Sequence, residues 1–138
     1  MRKPLMVLAA AATAAIGFAA PAQATVNDVD MPFGMAYGNS TTSGTIHFTD
    51  GYTASVTGAV HAASGARRVC VVGVNGGAES ATVCSPWAYA GGANQPLSAS
   101  LRIAVAGGVQ RVYVAMYDEN NALLAQEFCT RSGCTRQV

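Results

Sequence analysis

The chain has 138 residues, 51% of them hydrophobic and only 11% charged, with a net charge of +1 at neutral pH. Globular domains usually carry about 25% charged residues; here Gly, Ala, Ser, Thr and Val dominate instead, which suits strands and tight turns better than helices. Eight cations balance seven anions with no basic cluster and no acidic tail, which excludes binding driven by a nucleic-acid backbone.

Residues 1–24 read as a secretory signal peptide. Arg2 and Lys3 are followed by an apolar run over residues 5–18 and by Pro21-Ala22-Gln23-Ala24, with small residues where a signal peptidase needs them. The run is too short to span a bilayer, and no second stretch of about 20 apolar residues follows. No cysteine stands at the cleavage point to take a lipid. The expected product covers residues 25–138: secreted, extracellular, free of the membrane after cleavage, without lysine, and with six Arg against seven acids. The Ala-, Gly- and Arg-rich, Lys-poor composition points to a bacterial source.

Residues 25–43 lack any period, so an extended N-terminal arm with a loose end is expected, with room for one edge strand. Residues 45–49 alternate polar and apolar as a half-buried strand does. Asp50-Gly51 reads as a two-residue type I′ hairpin turn, which pairs His47 with Ala54. Residues 52–61 alternate again, with Ala54, Val56 and Val60 on one face and Thr53, Ser55, Thr57 and His61 on the other. A third strand over 68–74 is apolar enough to be buried on both faces. It turns at Asn75-Gly76-Gly77-Ala78 and returns over 79–85.

Four cysteines in an exported small domain imply two disulfides, for which three pairings exist. The local pairing, Cys70–Cys84 with Cys129–Cys134, agrees with the turn: if Val74 pairs with Ser80, Cys70 faces Cys84. Closing that loop is worth about 3 kcal/mol on the chain-entropy model. The C-x-x-C spacing of structural zinc sites is absent, so no metal is expected.

Residues 85–96 form a loop holding the single tryptophan, Trp87. Strands are expected over 97–105, 109–117 and 122–128, with Asp118-Glu119-Asn120-Asn121 as a turn and residues 129–134 as a small closed loop. No segment has a helical period. Residues 55–71 align without gaps on 98–114, with Ser55/Ser98, Arg68/Arg111, Val69/Val112 and Val71/Val114 among the identities. This predicts two similar three-strand units whose first strands pair in one sheet and whose middle strands pair in the other. The expected fold is all-β: an immunoglobulin-like antiparallel sandwich of six to seven strands over residues 44–138.

His47 and His61 lie on the polar phase of neighbouring strands and read as solvated residues. No G-x-S-x-G elbow occurs, and the seven acids sit mostly in turns or the arm, which disfavours a catalytic triad or a carboxylate pair. Gly76-Gly77 and Gly107-Gly108 lack the P-loop frame, and residues 118–121 lack calcium-loop spacing. No catalytic residue and no cofactor is therefore expected. Candidate binding residues are Trp87 and Tyr89, an aromatic pair in a loop that serves either as a lid on the core or as an exposed anchor. Arg67, Arg68 and Arg111 stand at equivalent points of the two units, where the guanidinium groups are expected to converge.

Cys84-Ser85-Pro86, residues 97–103, and Cys129 with Cys134 together resemble the exported apoproteins that carry enediyne antibiotics. The resemblance implies a seven-stranded immunoglobulin-like sandwich with one hairpin disulfide and one short-loop disulfide. The first cysteine pair is wider here, and the aromatic residues of a chromophore cleft do not match by position. The expected function is a secreted, monomeric, non-catalytic binding protein that engages an extracellular protein through loop or edge surfaces, the loops around Trp87 or the arm around Phe33 and Tyr37, with an enzyme inhibitor as one form. A carrier of a small apolar ligand and a small hydrolase using His47 or His61 are the alternatives.

Overall fold

The computed structural model describes residues 28–138, so the expected signal peptide and the first residues of the expected arm lie outside it. The described residues are all β, with no helix. Eleven strands follow in chain order: β1 Val29–Tyr37, β2 Ser40–Phe48, β3 Thr53–His61, β4 Ala66–Asn75, β5 Ala78–Glu79, β6 Val83–Cys84, β7 Ala88–Tyr89, β8 Gln95–Arg102, β9 Arg111–Asp118, β10 Leu123–Thr130 and β11 Gly133–Arg136.

They form two antiparallel sheets. The smaller has the order β1-β2-β3-β8. The larger runs β11-β10-β9-β4, and the short β5, β6 and β7 pair in turn along the far edge of β4. The inner faces meet in one core. Ile46, Phe48, Val56, Val60, Leu97 and Leu101 come from the smaller sheet and Val69, Val71, Val112, Val114 and Met116 from the larger, all at 1% exposure or less. β4 is thus covered on one face only: Val72 and Val74 are half-buried on the outside.

Six or seven strands were too few. The segment expected as an arm is β1 and the start of β2, because Phe33 and Met35 are needed to close the core. The return after β4 is split into three short pieces, and the closed loop after Cys129 continues as β11.

The Asp50 turn also differs. Phe48 pairs with Ala54 and His47 with Ser55, leaving three residues between Thr49 and Thr53. Neither Asp50 nor Gly51 adopts positive φ. Residues directly opposite in a ladder share a face. Pairing His47 with Ala54 would have sent the apolar sets of β2 and β3 to opposite sides. Thr49 holds the wider turn, its hydroxyl donating to Thr53 O at 2.8 Å and accepting from Gly51 N at 3.1 Å.

Both local disulfides are present. Cys70 faces Cys84 and Cys129 faces Cys134 in the ladders. Val74, however, pairs with Glu79 rather than Ser80. One extra residue bulges out before β6, with Ser80 Oγ accepting from Gly73 N at 2.8 Å.

The internal repeat is expressed as predicted: first strands β3 and β8 pair, and middle strands β4 and β9 pair. Val71 faces Val114 in the larger sheet and Val56 faces Ala99 in the smaller, in both cases a residue 43 positions further along.

Candidate functional site

Alternation along β4, β9 and β10 sends one set of side chains into the core and the other outward. The outward set is unusually apolar. Cys70 and Val72 on β4 stand opposite Ala115 and Tyr113 on β9, with Phe128 on β10 beyond Tyr113, while Val74 lies opposite Arg111 and Tyr117 opposite Arg68. Cys70 and Ala115 are each only 7% exposed, shielded by larger neighbours on the same face. Tyr113 and Phe128 pack with ring centroids 5.6 Å apart.

Two arginines frame this strip. The Arg111 guanidinium lies 4.7 Å over the Phe128 ring, with Nη1 donating to Tyr113 OH at 3.4 Å. The Arg68 guanidinium lies 4.7 Å over the Trp87 ring, with Nη2 donating to Asn121 Oδ1 at 3.0 Å. Stacking on a ring face fixes a guanidinium at little cost in solvation.

The expected convergence of the arginines is not found. Arg68 pairs with Tyr117, and Arg111 pairs with Val74, six positions along β4 and so about 20 Å apart. The physical reason is the antiparallel pairing of the repeats. Equivalent residues three positions before the Val71–Val114 pair fall on opposite sides of it. Arg67 points inward and is 8% exposed. It donates to Ala66 O at 2.8 Å and Ser64 Oγ at 3.3 Å and lies 3.6 Å from Glu119 Oε1. It therefore braces two loops instead of offering a cation to a ligand. Trp87 is half-buried under Arg68, while Tyr89 projects at 61% exposure. Four of the five candidates, Trp87, Tyr89, Arg68 and Arg111, thus occupy the outer side of the larger sheet.

Sequence reasoning missed Tyr113, Tyr117 and Phe128. The signal was the spacing of Arg111, Tyr113, Ala115 and Tyr117, a period of two along a segment read only as a strand.

The two histidines lie apart, each held by its own neighbour. His47 Nδ1 lies 2.5 Å from Asp30 Oδ1 and its Nε2 3.7 Å from Asp28 Oδ2. The hydrogen bond to Asp30 is the main reason its pKa rises above the usual histidine value. His61 Nδ1 meets Asn94 Oδ1 at 2.9 Å, six positions from His47's partner along β3. Glu127 is buried at 5% exposure and accepts from Gly34 N at 3.2 Å. The sulfurs of Cys129 and Cys134 lie close to it, but they are joined in a disulfide and offer no thiolate to a metal. An open cleft of about 380 Å³ lies at the β2–β3 turn, between Asp50, Gly51 and Tyr52 and the loop residues Ala106 and Gly107.

An aromatic and arginine-framed sheet face performs no chemistry of its own. It is suited to being covered by another surface, since aromatic residues and arginine are the types enriched where proteins meet. No protein-family model, no curated protein and no solved structure matches this chain.

Proposed function

We propose that this protein is a secreted, non-catalytic binding protein, immunoglobulin-like in topology, that engages an extracellular protein through the outer face of its larger sheet. One observation carries the reading: a contiguous strip of Val72, Val74, Tyr113, Tyr117 and Phe128 faces outward between two ring-stacked arginines, with the exposed Tyr89 at its end. Two disulfides suit an oxidising compartment. Disulfide-braced, pre-ordered strands lower the entropy cost of binding, which fits an inhibitor of an extracellular enzyme.

The test is a non-denaturing mass spectrum of the protein isolated from its own culture fluid. A partner-sized mass increment is expected, weakened at least about 30-fold in affinity by Tyr89→Ala or Arg111→Ala with the melting temperature unchanged. A bare mass, or binding indifferent to both substitutions, would sink the proposal. The cleft beside Asp50 and Tyr52 supports a second reading, a carrier of a small ligand, and an increment of a few hundred daltons would select it.

A further inference from the structure

The two edges of the smaller sheet are finished differently. In β1 and β2 the hydrogen-bonded partners are the odd-numbered residues of β1. Pro32, Gly34 and Ala36 therefore turn their backbone groups away from the sheet. Three of these outward groups meet the larger sheet. Glu127 accepts the Gly34 N–H, Arg136 Nη2 donates to Ala36 O at 2.8 Å, and Cys134 Sγ sits 3.4 Å from Pro32 O. Pro32 has no N–H to leave open. This edge is partly covered by the larger sheet.

The opposite edge is β8. Ile103 N donates to Tyr52 O, which fixes the alternation: residues 95, 97, 99 and 101 bond to β3, while Pro96, Ser98, Ser100 and Arg102 direct their backbone groups outward. All four are exposed. Their side chains do little to guard the edge. Ser98 and Ser100 are small and uncharged, and the Arg102 guanidinium lies back over the Tyr52 ring at 5.3 Å. A long, regular strand whose outward N–H and C=O groups meet no partner among the described residues, and which carries no central charge, is a template for another strand.

We propose that two copies of this chain associate through β8, strand against strand in antiparallel fashion, to form one continuous eight-stranded sheet about a two-fold axis. The edge is complementary to itself. With Ser98 opposite Ser100 of the second copy, each outward N–H of Ser98, Ser100 and Arg102 finds a carbonyl across the axis. Pro96, which lacks an N–H, contributes only its carbonyl to the partner's Arg102. This register also holds the two Arg102 cations at opposite ends of the joint. An isologous joint of this kind closes at two copies, and it leaves the outer face of each larger sheet free.

The test is sedimentation equilibrium of the purified protein from micromolar to millimolar concentration, with amide exchange read by NMR. The expected result is a dimer in which the Ser98, Ser100 and Arg102 amides exchange slowly, while dilution to monomer releases them. Ser100→Pro removes an outward N–H that the monomer does not use, so the fold should survive and dimer affinity should fall at least about 30-fold. Ser100→Lys keeps the backbone donor and places two cations near the axis, and it should also give a monomer. A wild-type protein that stays monomeric throughout, a dimer whose β8 amides remain unprotected, or a dimer that persists in both variants would each overturn the proposal. The first of these would leave the edge to a strand of another protein.

Discussion

Glu127 shows how a single buried group ties pH to stability. Burial pushes its pKa above the ordinary 4.5, against the pull of the Gly34 N–H and of Arg136. The folded protein thus holds this proton to higher pH than the unfolded chain does, and Glu127's contribution to stability falls as pH rises from about 4.5 through the folded value. Glu127→Gln keeps an oxygen for Gly34 and removes the charge. Denaturant titrations from acid to neutral pH should show that this decline has disappeared. Glu127→Ala should cost about 1–3 kcal/mol, because the Gly34 N–H loses its acceptor. His47 shifts in the same direction for a different reason, a hydrogen bond instead of burial. Asp30 raises its pKa above 6.5, so its stabilising contact is complete below that value and is lost as pH rises through the folded value. Asp30→Asn should lower the His47 titration midpoint in an NMR pH series, and an unmoved midpoint would remove Asp30 as the cause.

Among the strands, the pairing of β1, β2 and β3 turns on two glycines. Phe33 faces Gly44, and Gly44 faces Gly58, in one row across three strands. A Cβ on Gly58 would stand 2.4 Å from Ser43 O and 3.1 Å from both Gly44 Cα and the Phe33 ring. The first two are backbone atoms that cannot rotate away. The glycines leave a trough that the Phe33 ring fills, bringing it to 5% exposure. Gly58→Ala should cost about 3 kcal/mol in equilibrium unfolding, and a loss below about 0.5 kcal/mol would mean that the ring does not depend on this trough. Nothing in the local sequence assigns Gly44 or Gly58 a role. The reason for them became visible once register placed Phe33 above both.

At the scale of the whole molecule, the gapless alignment of residues 55–71 with 98–114 organises the sandwich. The equivalent pairs Val71–Val114 and Val56–Ala99 each face one another, so the two units meet head to tail in both sheets. That arrangement explains why Arg68 and Arg111 frame a face from opposite ends. It also leaves β8 without the neighbour that β2 provides for β3, since the chain before β8 joins the larger sheet as β6 and β7 instead. The open edge on which dimerisation is proposed follows from this broken symmetry.

Much of this was legible in the chain itself. The period of two in residues 45–61 and 97–103, the Gly-Gly turn after Asn75 and the even set of nearby cysteines determined an all-β chain with these two disulfides, because face alternation and short-range bridging are local properties. The repeat likewise determined which central strands pair. Tertiary structure decided what depends on contacts between distant residues. It drew residues 29–43 into a sheet, because the core needed Phe33 and Met35. It set the β2–β3 register, because the apolar sets of both strands must share one face. It turned Arg67 inward and left Arg68, Arg111, Tyr113 and Phe128 outside, because only the packing of one sheet on the other defines which side of a strand is the inside.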